Sequence, residues 1–185
     1  MKINVKTIVL GALVLLALIS IAYVFSVTKK GGGLGLETTP TTTPSEINKI
    51  VPGKSTEVEV FDALGKPKLV NGDVQTFDSL SPTRDNQIVY QEGVAQLIKE
   101  IVAYSEKRNT DEVALKYGTS QDMLYGPDSV NGYYLFVYPT EGVAYLGNPI
   151  SKSLLEIWRF SSTDINTFIN KWGQGYFTTP PKEGF

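Results

Sequence analysis

The feature that most restricts this chain is Thr7–Val27, TIVLGALVLLALISIAYVFSV, 21 residues without a charge. A helix rising about 1.5 Å per residue spans about 30 Å over such a length, the depth of a bilayer's hydrocarbon core. Cleaved signal segments have shorter apolar cores, about 7–15 residues, followed by a small-x-small site. Here Ser20-Ile21-Ala22 has that form, but the apolar run continues through Tyr23, Val24, Phe25 and Val27. The expectation is therefore a flank at 1–6 and a retained single-pass transmembrane anchor at 7–27. Residues 28–45, which include GGGLGLETTPTTTPS, are Gly-rich and then Thr/Pro-rich, a composition that tethers and does not pack. Thr/Pro tracts are typical of extracellular stalks, so the C-terminal part is expected outside the cytoplasm, with the bilayer as one partner.

That leaves 46–177 for one compact α+β domain, with 178–185 as a loose tail. From Glu46 onward there are 13 Lys plus Arg against 18 Asp plus Glu, a net charge of −5, which disfavours nucleic acid. The chain has neither Cys nor His. Their absence excludes thiol catalysis, disulfide frameworks, lipidation on Cys, the common zinc sites and Ser-His-Asp chemistry. No cofactor loop of the Gly-x-Gly-x-x-Gly or Walker type occurs in the folded part, and no stretch has calcium-loop spacing, so neither cofactor nor metal is assigned.

Local signals divide the domain into short elements. Thr56 and Glu59 fit a capping box for a helix that stops at Gly65-Lys66-Pro67, and Asn109 to Gly118 has the same form. Strands are expected at Asp73–Ser79, Asn86–Tyr90, Asp122–Tyr125, Tyr133–Tyr138, Val143–Leu146 and Leu154–Phe160. Val94–Val102 fits strand or helix. Ile165, Phe168, Ile169 and Trp172 mark one apolar helix face that ends at Gly173. Val-Tyr followed by Glu-Gly-Val-Ala occurs at Val89–Ala95 and again at Val137–Ala144, and Leu64-Gly65 lies 53 residues before Tyr117-Gly118. The expected architecture is thus short helices on an antiparallel sheet, in tandem helix-plus-β-meander units at about 51–104 and 109–177.

Pro52, Gly53, Ser55, Thr56, Leu64, Gly65 and Pro67 follow a pattern that resembles the SmpA/OmlA (BamE) domain of outer-membrane-assembly lipoproteins. Two such units in tandem are similar to the architecture of the β-lactamase inhibitor proteins. The resemblance covers about Val51 to Phe160. It implies a small protein-binding module without catalytic activity. The lipobox Cys of the lipoproteins is missing here.

The residues singled out for binding are aromatic. Tyr134, Phe136 and Tyr138 alternate onto one strand face, and Tyr145 and Trp158 are expected beside them. Tyr and Trp supply contact area with few rotatable bonds, as interface hot spots do. The leading expectation is a membrane-anchored, non-enzymatic module that binds another envelope protein through these five residues. An enzyme inhibitor that docks the same surface is one alternative. A carboxylate-dependent glycan hydrolase is another, resting on Glu156 beside Trp158 or on Asp122, Asp128 and Glu141. Ser151-Lys152-Ser153 has the residue types of a Ser/Lys dyad without its spacing.

Overall fold

The computed structural model describes residues 44–120 and 122–180. The segment expected to span a membrane, the linker up to residue 43 and residues 181–185 lie outside the described residues. Among the described residues no helix is long and apolar enough to cross a membrane.

One antiparallel sheet of eight strands carries the domain: β1 (Leu69–Asn71), β2 (Val74–Phe77), β3 (Asn86–Gln91), β4 (Val94–Ile101), β5 (Asp122–Leu124), β6 (Tyr134–Tyr138), β7 (Val143–Gly147) and β8 (Leu154–Phe160). Their spatial order is β1-β2-β3-β4-β8-β7-β6-β5. The chain thus fills the sheet from one border to the middle, crosses to the other border, and returns to pair β8 with β4. Among the described residues the α-helices are a single turn, α1 (Pro44–Ile47), and three short ones, α2 (Glu57–Leu64), α3 (Thr110–Tyr117) and α4 (Ile165–Lys171).

Each short helix is fixed at its N-terminus by side-chain caps, because eight residues alone make a marginal helix. Thr56 and Glu59 cap α2 reciprocally, and Asn109 and Glu112 do the same for α3. Asp164 caps α4 by accepting from the Thr167 amide at 3.0 Å and its hydroxyl at 2.6 Å. Hairpin geometry is set by residues that tolerate positive φ. Glu92 and Gly93, at φ 52° and 74°, close β3 onto β4 in the turn whose twist suits a two-residue hairpin.

The sheet has two faces with different cover. On one face α1 and α2 bring Ile47, Ile50, Val60 and Leu64 onto Phe77, Ile88, Tyr90, Ala95 and Ile98. Farther along that face, Val113 of α3 meets Val102, Tyr138, Val143, Tyr145, Leu154 and Ile157. On the opposite face Phe168 of α4 is fully buried against a group that includes Leu135, Val137, Leu146, Trp158 and Phe160. Among the described residues no helix lies over the β2–β4 half of this second face, where Val74, Thr76 and Val89 stay half-buried and Gln87 is exposed.

This architecture corrects the expected fold class. The domain is more sheet-rich than helix-plus-meander units, and a single eight-stranded sheet runs through both expected units. The physical reason is the central pairing, Leu97 with Phe160 through Ile101 with Glu156, which merges the halves into one surface. Short helices bury only one or two side chains each, so the strands supply most of the core. The ambiguous segment Val94–Val102 resolves as β4 followed by a 3-10 turn at Tyr104–Glu106. Strand β1 and helix α1 had no clear sequence signal.

At the β1 border Leu69 and Val70 are exposed. At the β5 border Tyr125 and Phe177 exchange two backbone hydrogen bonds of 2.8 Å, which ties the C-terminal segment to the sheet.

Two substitutions test this packing. Phe168→Ala removes the side chain that seats α4 and should cost about 3–5 kcal/mol in urea denaturation. Gly142 has φ 67°, and a Cβ there would collide with the Phe160 carbonyl oxygen. Gly142→Ala should therefore cost at least about 1 kcal/mol, whereas an Ala at the open position Leu115 should change little.

Candidate functional site

A cleft of about 410 Å³ opens on the second face, at the boundary between the part covered by α4 and the part left bare. Its floor is the β4–β8 seam. Lys99 and Trp158 are direct partners in the register, and Glu156 sits two residues along β8. Side chains on one face of adjacent strands alternate with those of the other, so Lys99, Glu156 and Trp158 necessarily converge.

One wall is the loop between β2 and β3, held by its own polar contacts. The Ser79 hydroxyl accepts from the Ser81 amide at 2.9 Å and donates to the Arg84 carbonyl at 2.5 Å. Asn86 donates to the Asp78 carbonyl and accepts from the Ile101 amide, each at 2.8 Å. Lys68 bridges Asp78 at 3.1 Å and Asp85 at 2.9 Å. These contacts aim Arg84 across the cleft, where its guanidinium pairs with one oxygen of Glu156. The other Glu156 oxygen accepts from the Trp158 indole N–H.

The opposite wall comes from the end of α4 and the segment after it. Trp172 and Tyr176 line the cleft with Pro127 and Asp128. Tyr176 stands edge-on to Trp158, with centroids 5.9 Å apart and planes at 89°. Gly126 permits this approach: a Cβ there would strike the Tyr176 ring. Burial pushes the Tyr176 phenol up to about 12, with the Glu156 and Asp128 carboxylates adding to the rise.

Lys99 is the unusual group. Its ammonium lies 3.9 Å from the Trp158 ring centroid, a cation–π contact. Among the described residues no carboxylate is within ion-pair distance of it. Burial lowers its pKa, and the neighbouring Arg84 adds to that, while Glu156 opposes both.

The five aromatic residues expected to form a binding surface are placed otherwise. Tyr134, Phe136 and Tyr138 do share a face, and Tyr145 stacks on Phe136 at 4.8 Å. That face, however, is the one under α3. Tyr138 and Tyr145 are buried, with Tyr117 beside Tyr138 at 5.7 Å and the Tyr138 hydroxyl donating to the Gly118 carbonyl at 2.8 Å. Tyr134 and Phe136 are half-buried, and Tyr125 meets Tyr134 edge-on at 5.5 Å. Trp158 lies on the other face and is 2% exposed. An aromatic cluster under a helix is core, and the five do not form one exposed patch.

The other candidates separate as well. Asp122 and Glu141 line a hollow of about 260 Å³ at the start of β5, whereas Asp128 lines the cleft beyond its end. Lys152 pairs with Asp111 at 3.1 Å, and the Ser151 and Ser153 hydroxyls bond each other at 2.9 Å. Among the described residues no three acidic side chains gather as a metal would require. Of the candidates weighed from sequence, Asp128, Glu156 and Trp158 reach the cleft. Trp172, read from sequence as part of a helix face, joins them, and so do Arg84, Lys99 and Tyr176, which were not singled out. The signal for Lys99 was present: a charged pair, Lys99-Glu100, inside the apolar run Leu97 to Val102.

No family model matches this sequence, and no curated protein matches it. Among solved structures the chain is similar to a DUF4309 family protein (YjgB) from Bacillus subtilis subsp. subtilis str. 168. Identity is 15%, the match covers 65% of this chain and 87% of that chain, and the TM-score is 0.46. A likeness of that size establishes neither family nor activity, and none of these comparisons bears on the SmpA/OmlA resemblance.

The ion-pair geometry predicts that Glu156→Ala, which strands the Trp158 indole N–H and the Arg84 guanidinium, lowers stability by about 1–3 kcal/mol in chemical denaturation. The raised Tyr176 phenol sets a pH dependence. Unfolded Tyr loses its proton near pH 10 while the folded group holds it to about 12, so ionisation favours the unfolded chain. The Tyr176 contribution to stability should be constant below pH 10 and fall as pH rises from 10 to 12. Tyr176→Phe should reduce that fall, read from urea midpoints across the range.

Proposed function

We propose that the domain is a non-enzymatic protein-binding module that takes a segment of its partner into the sheet cleft. The observation that carries this reading is the cleft's position and content. It sits where the helical cover of the described residues ends, beside a half-face of the sheet that they leave bare, and an ammonium and three aromatic side chains line it. Partly covered sheet surface next to a polar-lined hollow is the form that recognition of an extended segment takes.

Holding, and not reacting, is favoured by how the acidic groups are used. Both oxygens of Glu156 are engaged, one by Arg84 and one by Trp158, which uses that carboxylate as a structural partner of the cleft wall and floor. General acid–base catalysis requires a side chain placed to exchange a proton with the reacting atom. The Thr/Pro-rich stretch ahead of the domain supports a place outside the cytoplasm, and the partner is then another protein of the cell envelope.

A site-specific photo-cross-linker tests the reading in the full-length chain expressed in its own cell. Placed at Gln87, on the rim of the cleft, it should give a discrete adduct with one protein. Placed at Leu115, exposed on α3, it should give none. The absence of an adduct at Gln87, or the same adduct from both positions, would overturn the proposal.

A further inference from the structure

We infer that the cleft recognises a carboxylate, docked at the Lys99 ammonium and carried by an acidic side chain of the partner segment. This deepens the protein-binding reading and rests on it.

The inference starts from an unmet requirement. An ammonium offers three N–H donors and accepts none. Among the described residues Lys99 has no ion-pair partner and no hydrogen-bond acceptor, only the face of Trp158. A cation removed from water without a partner is costly, and burial accordingly disfavours the charged form of this one. The backbone that carries it is fixed, since its strand is paired on both sides, to Gln87 and to Trp158. Glu156 is close enough to be felt, but Arg84 and Trp158 already occupy its oxygens. The missing partner has to arrive from outside, and the cleft is open to it.

Charge balance selects the kind of anion. Two cations, Arg84 and Lys99, line the cleft with three acids, Asp85, Asp128 and Glu156. Arg84 neutralises Glu156, while Lys68 is shared between Asp85 and Asp78. Among the described residues Lys99 is left as the unpaired cation of the lining, with Asp128 and part of the Asp85–Asp78 charge as its surplus acids. A singly charged carboxylate satisfies Lys99 with less repulsion from those acids than a doubly charged phosphate would meet. Trp172 and Tyr176 flank the position, so the acid that fits best has an apolar neighbour in its own chain.

Both tryptophans of the sequence line this cleft, so intrinsic fluorescence reads it without a label. The probes are the blocked dipeptides acetyl-Leu-Glu-amide and acetyl-Leu-Gln-amide, together with inorganic phosphate, titrated into the full chain at pH 7. The Glu dipeptide should give a saturable change, with the Gln dipeptide and phosphate at least tenfold weaker. Lys99→Met should weaken the Glu dipeptide at least tenfold, and Lys99→Arg should stay within about threefold of wild type. Equal responses to the Glu and Gln dipeptides, or phosphate binding as tightly as the Glu dipeptide, would overturn the inference. So would Lys99→Met binding as wild type does. The wild-type comparison of dipeptides decides the matter even if Lys99→Met fails to fold. A Gln87 adduct in the cell alongside equal dipeptide responses would sink the carboxylate and leave the protein-binding module standing.

Discussion

The pairing of β4 with β8 is the contact on which the rest of this domain depends. It joins residues more than fifty positions apart in sequence and turns two strips of strands into one surface. Such a closure costs chain entropy before it returns any contact energy. Once made, it fixes which side chains face each other across the middle of the sheet. Lys99 meets Trp158, and Glu100 meets Ile157, because the register permits nothing else. A slip of one residue would invert every one of these side chains. The cleft is therefore a property of register more than of any loop.

The two faces of the sheet carry different tasks. The first is covered along most of its length, by α1 and α2 at one side and α3 at the other, and its aromatic residues are core. Among the described residues the helix that covers the second is α4, and the polar groups collect where that cover stops. Buried charge appears on both faces and is handled differently. On the first, Glu100 is paired with Arg108 at 2.7 Å, and Arg159 donates to the carbonyls of Ile47 and Ile50. These contacts lock helices and loops to the sheet. On the second, the ion pair of Arg84 and Glu156 is open to solvent at its arginine end.

Much of the local structure was legible from sequence. Thr56 with Glu59 and Asn109 with Glu112 announce their helices because capping chemistry acts within four residues. The β-branched and aromatic residues of Asn86–Tyr90 and Leu154–Phe160 announce strands, which is also a local signal. What the sequence did not show is what covers what. Tyr134, Phe136, Tyr138 and Tyr145 read equally well as a docking face or as the floor beneath a helix, and only the position of Val113 decides between them. Trp158 joins that group in composition and leaves it in space, because its strand parity faces the other way. The cleft was less legible still. Arg84 lies in a loop with no periodicity, 72 positions from the carboxylate it meets, and Tyr176 comes after the last helix in a stretch rich in Gly. Their convergence is tertiary and leaves no short-range pattern.

The borders of the sheet have a consequence for how copies of this chain meet. The β5 side is bridged at one point by Tyr125 and Phe177, while β1 presents Leu69 and Val70. Each border strand is three residues long. A second molecule adding its main chain at either margin would gain few backbone hydrogen bonds, so brevity of the edge strands is what discourages open-ended strand addition.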